Sequence, residues 1–341
     1  MRWWLRLRRS PAFSGYVLLL GGIVINILVQ GSDFFSGSNM SSILTVNTPL
    51  VLAAIAQTIV VLTGGIDLSI GSNMTLVNAL AIVLANQHHW NVGFSWLAAL
   101  AAATAVGMFN GLIVAYVRIP ALLATFSSMS VVGGLALWIL PKPGGSVPTQ
   151  VYQAYGRTFA GIPLAGWIIV FVLVLWGILA RRRLGLYIKA VGGRERSAYA
   201  SGIKTERVKF YAYTLNGFIT GLAGLSLTAL TASGDPKIGL PFGLNSIAAV
   251  ILGGTALAGG WGSIGGSVAG AFFLGLIGNI VFFLFANFVS QIPYLSGVSS
   301  FYQQLLSNLI VILGLASAVL TQREIRRRKP VKSGMGGSTN G

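Results

Sequence analysis

Long apolar runs recur along the whole chain, parted by short polar links. Runs at about 13–30, 43–63, 68–86, 94–117, 119–141, 163–180, 208–232, 243–258, 264–287 and 301–321 each approach the ~20 residues that cross a bilayer. Polar and apolar positions do not alternate within them: "WLAALAAATAVGMFNGLIVAYV", residues 96–117, is apolar on every side. A membrane barrel needs that alternation. Hydrocarbon offers backbone groups no water, so continuous apolar runs must be helical. The pattern predicts an all-α integral membrane protein of about ten transmembrane helices. Gly64–Gly65 and Pro120 interrupt the pattern and mark expected breaks or re-entrant turns.

Composition supports lipid as the main solvent. The chain is 54% hydrophobic and 9% charged, where a soluble domain carries about 25% charged residues. Its net charge of +17 comes from 23 Lys and Arg against 6 Asp and Glu. These charges are not spread as on a nucleic-acid surface, which interleaves basic and aromatic residues; no nucleic-acid partner is expected. Four arginines precede residue 10, nine basic residues lie between Arg181 and Lys209, and six between Arg323 and Lys332. With Arg118, these clusters put twenty basic residues on one side of the expected spans. Only Lys142, Arg157 and Lys237 fall on the other. The positive-inside bias then places both termini and the links near 64–67, 118, 181–207 and 259–263 in the cytoplasm. The expected organisation is a cytoplasmic basic head (1–12), a transmembrane domain (13–321) with a cytoplasmic loop at 181–209, and a basic tail (322–341) whose end is disordered. No small-x-small cleavage site follows the first apolar run, so it reads as an uncleaved span rather than a signal peptide.

Several chemistries lack their residues. There is no cysteine, hence no disulfide and no thiolate metal site. His88 and His89 are adjacent in a short link without a neighbouring acid, so no metal is expected. The sequence contains neither a G-x-x-x-x-G-K-[ST] loop nor H-E-x-x-H, and no nucleophile elbow comes with a base. Enzymatic chemistry has little support, and the chain is not expected to bind ATP through such a loop.

One acid lies where lipid is expected. In "VLTGGIDLSIGS", residues 61–72, Gly64 and Gly65 end one helix, and Asp67, followed by Ser69, stands at the start of the next. An Asp cap accepts backbone N–H groups and favours the positive end of the helix. Contact with a solute or with a partner subunit are the alternatives. Residues 52–72 also align without a gap to 247–267, with seven identities that include Gly64/Gly259 and Gly65/Gly260. If this is a repeat, both glycine pairs break helices at matching depth.

The loop "RRRLGLYIKAVGGRERSAYASGIKTERVK", residues 181–209, predicts a short amphipathic helix around "ERSAYASGI", stopped by Gly202 at C′ and preceded by a Gly192–Gly193 hinge. It reads as a docking element in which Gly192, Gly193, Arg194, Glu195, Arg196, Ser201 and Gly202 couple the chain to a partner. Weak polar groups scattered in the spans suit a path that wets without holding a solute tightly. Asn47, Gln57 and Asn110, well inside spans, are the leading candidates to line it.

At these motifs the chain resembles the permease subunits of ATP-binding-cassette importers for monosaccharides, the ribose/xylose/arabinose group. "GGIDLSIGS" (64–72), "AVGGRERSAYASGIKTERVKFYAY" (190–213) and "IAAVILGGTALAGGWGSIGGSVAGA" (247–271) carry the resemblance. It implies a helical permease that pairs with a second copy or a related subunit in the cell inner membrane. It also implies a separate cytoplasmic ATPase that docks on the 181–209 loop, and an extracytoplasmic solute-binding protein. No cofactor is implied for this chain; ATP is used by the partner. The family's "ELDAIAA" reads "GLNSIAA" here, with Gly243 and Asn245 in place of the acids, which puts receptor docking or the identity of the solute in question. An ion-gradient-driven carrier and a membrane enzyme acting on lipid-linked substrates are the alternative readings.

Overall fold

The computed structural model describes residues 10–287 and, beyond them, Leu305, Asn308, Leu309 and Ile312, each helical. Residues 1–9, the basic tail and most of the expected span 301–321 lie outside the described residues. Among residues 10–287 twelve α-helices run in chain order: α1 (Phe13–Gln30), α2 (Gly37–Leu62), α3 (Ile70–Asn86), α4 (Val92–Leu112), α5 (Ala121–Ile139), α6 (Thr149–Gly156), α7 (Leu164–Arg181), α8 (Arg183–Gly193), α9 (Glu195–Ala200), α10 (Thr205–Thr231), α11 (Leu240–Leu252) and α12 (Ile264–Asn287). Among the described residues sheet is confined to two short antiparallel pairs, β1 (Gly144–Ser146) with β4 (Ser233–Gly234), and β2 (Thr158–Phe159) with β3 (Ile162–Pro163).

Among the described residues seven helical stretches are long and apolar enough to span a bilayer. The core is built on α2 and α10. Every α2 residue from Asn47 to Leu62 is buried, and α10 packs along α2, α3 and α4. A helix that is apolar all round belongs in such an interior. The surrounding helices turn large apolar side chains outward, among them Leu28, Phe94, Leu97, Phe126, Trp138 and Phe171. On a water-soluble surface so extended an apolar patch is rare; against hydrocarbon it is the ordinary exterior.

Two expected spans become short helices in the fold, 68–86 as the 17-residue α3 and 243–258 as the 13-residue α11. The run 243–258 becomes α11, which stops at Leu252 where Gly253 and Gly254 turn the chain. Its 13 residues reach about 20 Å, short of a ~30 Å hydrocarbon layer. The run 94–117 ends its α-helix at Leu112 and continues as a π-turn, Ile113–Val117, before Pro120 caps α5. The two short helices face each other. A Cβ on Gly71, at the start of α3, would stand 2.7 Å from the carbonyl oxygen of Gly239 and 2.8 Å from that of Leu240, at the start of α11. Gly239 N–H also donates to Thr75 Oγ1 (3.1 Å). Two broken helices thus meet N-terminus to N-terminus inside the bundle.

The links sort into two ends. At one, Leu62 O accepts from Gly260 N–H (3.1 Å), Arg118 pairs with Glu206, and Gly254 lies against Pro11. This end gathers the links near 64–67, 118, 181–207 and 259–263, and with them Arg118 and the basic residues of the 181–209 loop. At the other, β1 pairs with β4, Asn86 donates to Ser146 O (2.9 Å), and Tyr155 donates to Thr45 O (3.1 Å); the segments carrying Lys142, Arg157 and Lys237 lie here.

Candidate functional site at the basic end

Three glycine doublets that lie far apart in sequence converge at the basic end. Gly64–Gly65 follows α2, Gly192–Gly193 ends α8, and Gly259–Gly260 lies between α11 and α12. A Cβ on Gly192 would overlap Leu62 O outright, and one on Gly259 would lie 2.7 Å from Gly64 Cα. Backbone meets backbone here because no side chain is present to hold the strands apart. The aligned residues Gly64 and Gly259 carry φ of +87° and +85°, and the helices after them begin at Ile70 and Ile264, within one residue of the gapless alignment. The match covers the glycine turns and the helix starts after them but not the helices before. α2 runs to Leu62, next to its glycine pair, whereas α11 already stops at Leu252, so Gly259–Gly260 does not break a helix as Gly64–Gly65 does. The two turns touch.

The loop expected to dock is a helical hairpin. It contains α8, a helix not predicted from the sequence, although Leu184, Ile188 and Val191 recur at helical spacing and Ile188 and Val191 are buried. Gly192 closes α8 as a contact point against Leu62, not as a free hinge. Arg194 is extended, and α9 follows with Arg194, Glu195, Arg196 and Tyr199 exposed and Ala198 buried as its foot. Ser201 Oγ donates to Ser197 O (2.9 Å), and Gly202, at φ +80°, turns the chain toward α10. Glu195 ties α9 to α10 through Lys209 Nζ (2.6 Å). Between this hairpin and the glycine junction lies a cavity of about 710 Å³, lined among others by Gly64, Gly65, Arg118, Glu195, Tyr199, Lys209 and Tyr213.

Behind that cavity stands Asp67, 2% exposed. It lies three residues ahead of α3. Its Oδ1 accepts from Ser69 N–H (2.8 Å) and Ser69 Oγ (2.6 Å), and its Oδ2 accepts from Asn216 Nδ2 of α10. Asp67 is thus not the N-cap the sequence suggested, since Ser69 holds that position without a side-chain cap bond; Asp67 instead closes the turn ahead of α3 and clasps it to α10. The carboxyl's three hydrogen-bond partners all act as donors to it. Gln57 holds the same residue by its backbone, donating to Asp67 O (3.0 Å) and accepting from Asp67 N–H (3.3 Å). Asn110 Nδ2 donates to Ser69 Oγ (2.9 Å). Asn216 is the twelfth residue of α10, so the clasp sits about 16 Å inward from the basic end of that helix.

The residues picked out for a solute path are placed differently from one another. Gln57 and Asn110, both 0% exposed, belong to the Asp67 network. Asn47, 6% exposed, donates to Ile43 O within α2 and packs on Gly275 of α12. Asn216 and Tyr213 were not foreseen. Their signal is present in α10, where Lys209, Tyr213 and Asn216 recur at i, i+4 and i+7 and so share one face. Of the two positions where acids are missing, Gly243 is buried beside Leu68 and Gly71, and Asn245 is exposed.

A family described as the permease component of the branched-chain amino acid transport system matches residues 39–316. The chain is 35% identical over 292 residues to the ribose import permease protein of Escherichia coli K12, covering 83% of this chain and 86% of that protein. It is 34% identical over 322 residues to the ribose import permease protein of Bacillus subtilis 168, covering 93% and 94%. To the autoinducer 2 import system permease protein of Salmonella choleraesuis it is 32% identical over 255 residues, covering 74% and 73%.

Proposed function

Since the chain belongs to this family of transport permease components, we propose that it is the membrane-spanning subunit of an ATP-binding-cassette importer for a monosaccharide or a related small hydroxylated solute. The observation that carries the reading is the exposed α9 knob, seated directly on the glycine junction and tied to α10. A cytoplasmic ATPase that grips α9 gains two levers. One runs through Glu195–Lys209 into α10 and on to the Asn216–Asp67 clasp. The other runs through Gly192 into the α2–α3 break. Both act on the cavity between them, which opens or shuts as the levers move. The basic end then faces the cytoplasm of an inner-membrane protein, with both termini inside. An extracytoplasmic solute-binding protein docks at the opposite end, and a second permease copy or related subunit completes the path.

The ion-gradient alternative rests on Asp67. A carboxyl clamped by three donors and by Gln57 is a fixed clasp and offers no open coordination. The test is co-expression with candidate ATPases and receptors, followed by uptake of labelled monosaccharides into proteoliposomes. Uptake that needs internal ATP and receptor supports the reading. Uptake driven by a proton or sodium gradient without ATP refutes it.

A further inference from the structure

A cavity of about 610 Å³ at the end of the bundle that carries α6 has no part in the transport reading. Trp96 of α4, Tyr155 of α6, Trp167 and Phe171 of α7, and Leu222 and Leu225 of α10 form its walls. It exists because α4 packs along α10 and α7 along α2, with no extended packing between α4 and α7. The short α6 lies across one end as a lid.

The chemistry of the walls selects the occupant. Tyr155 directs its hydroxyl to Thr45 O (3.1 Å) and Trp167 its indole N–H to Phe159 O (3.1 Å), so both polar handles are taken. Ser226 Oγ, on the floor, is buried without a hydrogen-bond partner, and Gln150 of α6 also reaches the lining. One hydroxyl and one amide do not match the several hydroxyls of a sugar, most of which would be left unpaired among these walls. Water needs two to four polar partners and stays out of such a space. An empty cleft forfeits dispersion contacts along its whole lining. A whole membrane span does not fit either, since about 30 Å of helix 10–12 Å across fills roughly 2,400–3,400 Å³, several times the cavity of about 610 Å³. The cleft opens sideways between the exposed apolar faces of α4 (Phe94, Leu97) and α7 (Phe171, Val174), the surface a membrane permease turns to hydrocarbon.

We propose that this cleft is a lipid site, holding one alkyl chain of a phospholipid from the leaflet on the α6 side. The chain wedges α4 and α7 apart and supports α6 from beneath. The test uses the full-length chain in proteoliposomes with a phospholipid that carries a photoactivatable diazirine at the end of an acyl chain. Adducts are expected on residues 222–229 of the buried floor as well as on the exposed flanks of α4 and α7. Leu222→Phe, which fills the floor, and Ala154→Phe, which fills the space under the exposed lid, should each lower floor labelling roughly tenfold while flank labelling stays unchanged. That drop corresponds to losing the contacts of about two methylenes. Flank labelling without floor labelling in the unmodified chain would show the cleft filled by protein and overturn the proposal. So would floor labelling unaltered in both variants.

Discussion

Replacing Asp67 separates its role as a clasp from any role as a carrier of protons. Asp67→Ala removes an acceptor from Ser69 N–H, Ser69 Oγ and Asn216 Nδ2 together. A hydrogen bond to a charged group contributes about 1.5–3 kcal/mol in water-soluble proteins, but within bilayers such bonds average nearer 0.6 kcal/mol, with about 1.7 as the upper value. The lower scale governs a site reached only through helices, and terms inside one network do not simply add. Asp67→Ala should therefore cost about 2 kcal/mol, three bonds at that average. Asp67→Asn keeps the acceptor for Ser69, and a rotated Asn216 amide can meet the new one, so its cost should be under about 1 kcal/mol. A double-mutant cycle with Asn216→Ala isolates the cross-helix bond, with an expected coupling of about 0.6–1.7 kcal/mol. Unfolding equilibria in mixed micelles supply the energies, and uptake at matched expression supplies the function. A coupling below about 0.5 kcal/mol, or equal and complete loss of uptake in the Asn and Ala variants, would refute the clasp.

Gly192→Ala should abolish folded yield or uptake, because its methyl collides with Leu62 O, whereas Gly193→Ala, with open space at its Cβ, should be tolerated; overpacking of this kind costs about 1–3 kcal/mol or more, and size-exclusion yield reads the contrast. Gly202→Val puts a β-branched residue at φ +80°, at a cost of about 1–2 kcal/mol, and should lower receptor-stimulated ATP hydrolysis in the assembled transporter while leaving the spans folded. Tyr213→Phe removes a buried hydroxyl that has no hydrogen-bond partner, so the melting temperature should hold or rise; a fall of several degrees would show a contact there. Calorimetric titration of the isolated permease with monosaccharides should give no micromolar site, which would correspond to about −8 kcal/mol.

Hydropathy located most of the helices because lipid leaves the backbone no alternative to helix, and the break before α3 was legible because two glycines and an acid interrupt an apolar run. The length of α11 was not legible. A window over 243–258 stays apolar through Gly253 and Gly254, and only their contacts with Gly266 and Pro11 show that the helix ends there. α8 was hidden for a similar reason, since its apolar stripe is embedded among arginines and a lysine. The loop helix α9 and its Gly202 stop follow from local propensity and could be read directly. The partners of Asp67 could not, because Asn216 lies 149 residues away and nothing local marks which of many span asparagines will face the carboxylate. The glycine doublets were visible singly. That all three meet is a property of the packing.

That meeting sets an order of assembly. Leu62 O is made early in synthesis, yet its partner, Gly260 N–H, emerges about 200 residues later, some 10–40 s at ribosomal speeds of 5–20 residues per second. For that interval α2 and α3 are already in the bilayer with their hinge uncovered, and α8 can reach Leu62 before the third strand of the junction exists. The basic end is thus sealed late in translation, by a segment from the last quarter of the chain. If α9 is the ATPase seat proposed above, that seat is finished only after Gly260 has emerged and closed the junction beneath it.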